Sequence, residues 1–115
     1  LQHVGQLLRD LLPPRAMAAR YGGEEFCVIM RDCYDLETAH AFAERLRLKI
    51  KALRVKVRST DKVLDTITAS FGLALAQAGD DPEALITRAD DAMYQAKRNG
   101  RNQVHPPFPE TALIA

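Results

Sequence analysis

Arg20-Tyr21-Gly22-Gly23-Glu24-Glu25-Phe26 decides the fold, because it joins two segments of strand-like composition, residues 17–21 and 26–30. Glycine adopts a positive φ at no steric cost, so the Gly-Gly pair predicts a tight reversal in a hairpin over about residues 16–31. The two glutamates then lie at the hairpin tip, where a cation and a phosphate can meet. Taken alone, the stretch also fits an ordinary solvated hairpin with a charged tip.

Apolar periodicity predicts three helices around this hairpin. The first covers residues 1–12 and ends at Pro13-Pro14; the second is capped by Asp35; the third begins at Asp81-Pro82 and ends at Asn99-Gly100. The predicted buried faces of the second and third helices are Ala39, Phe42, Ala43, Leu46, Ile50 and Leu53, and Leu85, Ala89, Ala92, Met93 and Ala96.

Further strands are predicted in the second half of the chain. Alternating side chains indicate a short strand at Val55–Arg58 and a long half-buried strand over Thr66–Leu75, with their connection in Ser59–Asp65. Gln103-Val104 is predicted to add a last edge strand. The order of elements favours an α+β fold, in which helices pack on an antiparallel sheet in a ferredoxin-like layer.

The composition bounds the class of protein. The 115 residues are 47% hydrophobic and 27% charged, which suits one globular domain. A net charge of +1 gives no sign of a nucleic-acid partner, and no apolar run is long enough to predict membrane contact. Cys27 and Cys33 have no neighbouring His pair, so we interpret them as reduced packing thiols of a cytoplasmic domain.

A second segment, Ala89–Asn102, completes a pair of motifs. It reads Ala-Asp-Asp-Ala-Met-Tyr-Gln-Ala-Lys-Arg-Asn-Gly-Arg-Asn. Together with Gly22–Phe26, it resembles the GGDEF family of diguanylate cyclases, whose late helix has the same pattern. The resemblance implies a nucleotidyl-cyclase-like fold and the condensation of two GTP molecules to cyclic di-GMP with release of pyrophosphate. It assigns residues 1–105 to a partial GGDEF domain and residues 106–115 to a Pro-rich tail or linker.

The resemblance also implies the roles of individual residues. Glu24 corresponds to a metal ligand that is often assigned as the proton acceptor, and Glu25 is tied to the same metal site, which would hold Mg²⁺ or Mn²⁺. Gly22 and Gly23 would leave room for the nucleotide. Two cations near the end of the late helix would bind the terminal phosphates of GTP; they are Lys97 and Arg101. Their alternative role is to complement the helix dipole.

The chain departs from the family pattern in two places. The family's first strand, with a metal-binding aspartate, and its guanine-reading pair have no counterpart in these residues, so we expect that the fragment alone does not cyclise GTP. Pro13 and Ala16 stand where many relatives have the Arg and Asp of an inhibitory product site, so we expect no tight product inhibition there.

The resemblance implies a second GGDEF domain as partner, since each domain holds one GTP, and therefore a homodimer. Domains before or after this one are compatible with the Pro-rich exit. One alternative is a non-catalytic regulatory GGDEF module that binds GTP or supports a neighbouring phosphodiesterase domain. Another is a generic ferredoxin-like binding domain with a chance Gly-Gly hairpin.

Overall fold

The computed structural model describes residues 2–53, 56–57, 62–63 and 67–107. The helices are α1 (Gln2–Leu11), α2 (Leu36–Lys51) and α3 (Pro82–Arg98). The strands are β1 (Ala16–Gly22), β2 (Glu25–Met30), β3 (Lys56–Val57), β4 (Lys62–Val63), β5 (Phe71–Gly72) and β6 (Val104–His105). Helices and strands are both present, which confirms the predicted α+β class.

The helix ends lie close to where the sequence predicts them. Asp35 Oδ1 accepts a hydrogen bond from the Thr38 backbone N–H at 2.7 Å, and this bond lowers the pKa of the Asp35 carboxyl. Asp81 Oδ1 accepts from the Ala84 N–H at 2.8 Å, and Pro82 occupies the first turn of α3. Within the described residues, no helix is long and apolar enough to cross a bilayer.

The core lies where the helices meet β5 and β6. α1 packs on α2, α2 contacts β6, and α3 lies across β5 and β6. The most deeply buried apolar side chains are those of Leu8, Ala43, Leu46, Ile50, Ala96 and Val104. Leu8 belongs to the apolar stripe of the first predicted helix, and the others except Val104 belong to the predicted buried faces of the second and third helices.

α3 approaches β5 so closely that its backbone contacts a glycine. A Cβ atom added to Gly72 would lie 2.1 Å from both the Ala89 carbonyl oxygen and the Met93 amide nitrogen. Real Cβ atoms do not approach backbone atoms at that distance. Glycine is therefore required at this position by the packing of helix on strand.

The predicted hairpin is confirmed. β1 and β2 pair antiparallel, with Met17 opposite Ile29 and Gly22 opposite Glu25, and the register shifts between Arg20 and Gly22. The main contacts of the hairpin are between its own two strands. One of its faces is open, since Met17 and Ile29 keep 47% and 48% of their surface exposed.

The second half of the sheet differs from the prediction. The strand predicted over Thr66–Leu75 is wrong in length: within the described residues it is paired only at Phe71–Gly72. Its partner β6 begins one residue later than predicted and spans only two residues, which limits the ladder. Two hydrogen bonds join the strands: the Phe71 N–H donates to the Gln103 carbonyl and the Leu73 N–H donates to the His105 carbonyl, both at 2.9 Å. Alternation of apolar and polar side chains indicates that a segment is half-buried. The residues on either side of β5 are half-buried without being paired in a strand, which explains the overprediction.

The pairing of β5 with β6 is parallel, whereas the sequence favoured an antiparallel sheet throughout. The reason is the connection, because α3 crosses between the two strands and returns the chain in the same direction. β3 and β4 form a separate antiparallel pair. β3 falls in the strand predicted at Val55–Arg58, and β4 falls in the segment predicted as its connection. The rest of both predictions lies outside the described residues, as does most of the predicted tail.

The loop before α3 is held to that helix by an ion pair. The Arg88 guanidinium donates to both carboxylate oxygens of Asp80, at 2.9 and 2.7 Å, and to the Leu75 carbonyl at 2.8 Å. Hydrogen bonding from Arg88, with a further bond from the Gln77 N–H, lowers the pKa of Asp80 to about 2.

We expect Asp80→Asn to destabilise the chain at neutral pH. Because the folded-state pKa lies below the ordinary value of 3.8, the carboxylate stabilises the fold above that value and loses its contribution as the pH falls through about 2. Urea unfolding should therefore show a difference in the free energy of unfolding between wild type and variant at pH 7, and this gap should narrow between about pH 4 and pH 2. A gap that does not change with pH would contradict the assignment.

Candidate functional site

The hairpin tip is a reversal fixed by an arginine. β1 ends at Gly22 and β2 begins at Glu25, so Gly23 and Glu24 form the turn. Gly23 has a φ of +48°, a conformation that favours glycine. The Arg20 guanidinium donates from Nε and Nη2 to the Gly23 carbonyl, at 3.0 and 2.8 Å. The carbonyl of the turn is therefore engaged by the protein itself, which fixes the tip in one orientation.

The two tip glycines have different structural requirements. Gly23 needs its left-handed backbone, whereas Gly22 lies outside that region. Among the described residues, no heavy atom lies within 4 Å of a Cβ added at either position. Packing against that part of the chain therefore gives no reason for glycine at residue 22.

The two glutamates stand next to each other at this tip. Glu24 is exposed and Glu25 is half-buried. Within the described residues, no cluster of three or more acidic, His or Cys side chains is arranged to hold a metal ion. The protein side of the tip therefore offers two adjacent carboxylates and space for other ligands.

The second cluster of predicted site residues lies where α3 ends. Lys97 is half-buried in the last turn, and Arg101 is exposed three residues after the helix. Within the described part of the chain, neither side chain makes a hydrogen bond or ion pair, whereas Arg98 lies over the Tyr94 ring at 5.8 Å. A helix C-terminus carries partial negative charge, so two uncommitted cations there make an anion site electrostatically feasible.

The structure therefore brings the predicted site residues together in two groups. Gly22, Gly23, Glu24 and Glu25 share the hairpin tip, and Lys97 and Arg101 share the α3 exit. In the described ranges, no hydrogen bond or ion pair joins one group to the other. The two described surface grooves are lined by neither group.

Sequence reasoning missed several residues that hold these groups in place. Arg20 fixes the tip, and Arg47 of α2 donates to the Asn102 Oδ1 at 2.9 Å, next to Arg101. A signal for Arg20 was present, because it directly precedes the hairpin motif. No signal in the sequence pointed to Arg47, since it lies 55 residues from Asn102 in the chain.

Comparison with known proteins identifies the family. The family description "Diguanylate cyclase, GGDEF domain" matches residues 1–103. The chain belongs to the GGDEF family, and its fold is that of the nucleotidyl-cyclase-like GGDEF domain, as predicted.

Curated relatives are diguanylate cyclases and a response regulator. The chain is 42% identical over 106 residues to diguanylate cyclase VdcA of Vibrio cholerae, covering 92% of this chain and 31% of the relative. It is 46% identical over 89 residues to the response regulator PleD of Caulobacter vibrioides, covering 76% of this chain and 19% of that protein. The chain thus spans less than a third of either relative.

Solved GGDEF structures have the same fold. The GGDEF domain of DgcB from Caulobacter crescentus, determined in complex with c-di-GMP, superposes with a TM-score of 0.83 at 36% identity, covering 90% of this chain and 60% of that one. The active GGEEF domain of a diguanylate cyclase from Vibrio cholerae superposes with a TM-score of 0.70 at 28% identity, covering 90% and 64%.

Proposed function

We propose that this chain is the greater part of a diguanylate cyclase catalytic domain, which condenses two GTP molecules to cyclic di-GMP and releases pyrophosphate. The observation that carries the proposal is that both family motifs are present at the hairpin tip and at the end of α3, and that their charged side chains form no ion pairs within the described residues. A degenerate motif would have lost the tip carboxylates or the two cations. Here all four side chains are present, and Glu24 and Arg101 are exposed.

The tip suits a magnesium or manganese ion bound together with a substrate. Mg²⁺ in phosphoryl-transfer sites takes one or two carboxylates and fills its remaining positions with phosphate oxygens and water. Glu24 and Glu25 would provide these carboxylate ligands at the hairpin tip beside Gly22. When bound, the ion would neutralise charge on the reacting phosphate. Glu24 is the residue we assign to accept the proton of the attacking hydroxyl.

Lys97 and Arg101 are proposed to bind the terminal phosphates of GTP. The reaction expels pyrophosphate, so fixed cations next to that group stabilise the charge that develops on it. Lys97 in the last turn of α3 and Arg101 just after the helix are proposed to reach one polyphosphate. The proposal requires the hairpin tip and the α3 exit to face the same nucleotide.

Catalysis is proposed to need more than these residues. By the family pattern, a further metal-binding aspartate and a guanine-reading pair take part in catalysis beside the residues named above. Two domains, each holding one GTP, are proposed to face each other as a homodimer. We place the reaction in the cytoplasm, where GTP is available.

The cation assignment is tested by titrating the chain with Mg·GTP and following amide shifts by NMR. We expect Lys97→Ala and Arg101→Ala each to raise the Kd about tenfold, the loss of one charge-assisted contact. Arg98→Ala is the matched control, because its side chain lies over Tyr94, and it should leave the Kd unchanged. Wild-type affinity in both Lys97→Ala and Arg101→Ala would contradict the proposal.

A further inference from the structure

The chain leaves α3 through an unusual backbone path. Three consecutive residues have positive φ: Gly100 at 116°, Arg101 at 61° and Asn102 at 47°. Glycine and asparagine adopt this region readily, but arginine has a steric cost there. The surrounding contacts must therefore hold Arg101 in place.

Hydrogen bonds to the helix and to β5 provide part of that restraint. The Arg101 N–H donates to the Ala96 carbonyl at 2.9 Å, and the fully buried Ala96 fixes that end of α3. The Asn102 N–H donates to Ser70 Oγ at 3.1 Å, which ties the turn to the residue just before β5. The Gln103 amide donates to the Arg101 carbonyl at 3.1 Å.

The remaining restraint comes from a different helix. Arg47 Nη1 donates to Asn102 Oδ1 at 2.9 Å and to the Asn102 carbonyl at 3.4 Å, while Glu44 pairs with the same guanidinium. The Arg47 side chain is only 17% exposed, and its neighbour Leu46 is buried in the core. The turn is therefore anchored to a rigid part of α2.

We infer that Arg47 is a positioning residue for nucleotide binding, which holds Asn102 and so aims Arg101 at the phosphates. This inference rests on the proposed function, in which Arg101 contacts GTP. Arg47 itself faces Asn102 and Glu44, so it acts through the backbone of the turn. The planar guanidinium can donate to the side chain and the carbonyl of Asn102 at once, which a lysine ammonium does with much less geometric precision.

The test uses Arg47→Lys in the full chain, titrated with Mg·GTP by NMR. We expect the Kd to rise about three- to tenfold, the melting temperature to fall little, and the amide shifts of Arg101 and Asn102 to move in the unliganded variant. Arg45→Lys is the matched control, because it makes the same change at an exposed position on the same helix. Asn102→Gly removes the side-chain acceptor while allowing positive φ, so combining it with Arg47→Lys should lower the affinity by less than the sum of the two separate losses.

The outcomes separate the positioning role of Arg47 from the phosphate-binding role of Arg101. If Arg101→Ala weakens binding and Arg47→Lys does not, the positioning role is overturned and the proposed function stands. If Arg101→Ala binds as tightly as wild type, the phosphate role of Arg101 fails and the positioning role fails with it. Additive losses in the double variant would also overturn the inference, since they would show that Arg47 does not act through Asn102.

Discussion

Glu24→Gln is expected to lower the rate of cyclic di-GMP formation by at least about 100-fold, because it removes a metal ligand and the proposed proton acceptor together. The amide keeps the size of the side chain and loses its charge. The assay belongs in the longest natural protein that contains these residues, with product separated by chromatography in Mg²⁺ and GTP. The fold should persist, since Glu24 is exposed in a turn held by Arg20 and Gly23.

A matched control separates this effect from a general loss of charge. Glu37→Gln makes the same change at an exposed position in the first turn of α2. It should leave turnover within about twofold of wild type, since surface substitutions away from a site have small effects. Unchanged turnover in Glu24→Gln would contradict the metal-binding and proton-accepting roles assigned to Glu24.

Gly72→Ala is expected to have the largest effect on stability. The added methyl would overlap the Ala89 carbonyl and the Met93 backbone, so α3 must move away from β5. Overpacking against backbone costs about 3 kcal/mol, which corresponds to a melting temperature about 10 °C lower in a domain of this size. Because Lys97 lies in the last turn of α3 and Arg101 follows the helix, displacement of α3 should also weaken Mg·GTP binding.

The control is the same substitution where there is space. A Cβ at Gly5, within α1, meets no heavy atom within 4 Å among the described residues outside the neighbouring backbone of its own helix. Alanine is a better helix former than glycine by about 1 kcal/mol, so Gly5→Ala should raise the melting temperature. If Gly72→Ala melts at the wild-type temperature, the described contact between α3 and β5 is incorrect.

Local rules were sufficient to predict much of this fold from the sequence. Asp35 and Asp81 are helix caps because their carboxylates reach backbone N–H groups three residues on, a relation visible in sequence spacing. The hairpin was predictable as well, because the Gly22-Gly23 pair that permits the turn is contiguous in the sequence. Local rules did not predict the parallel pairing of β5 or the short length of that strand, because both depend on where α3 returns the chain.

The site was predicted less completely, for a related physical reason. The motif residues were found because they are close together in sequence and chemically unusual. The residues that hold them were not, since Arg47 meets Asn102 only after α2 has packed near β6. Gly72 gave no signal either, because its role is to leave room for a helix backbone that is distant in sequence.

Paramagnetic NMR with Mn·GTP tests whether the hairpin tip and the α3 exit bind the same nucleotide. Mn²⁺ held by Glu24 and Glu25 would broaden nearby amide signals. We expect substoichiometric Mn·GTP to broaden the signals of Gly22–Glu25 and those of Lys97–Asn102 together, and Glu24→Gln to abolish both effects. Broadening confined to the tip, with Lys97–Asn102 unaffected, would show that the two groups do not share a nucleotide.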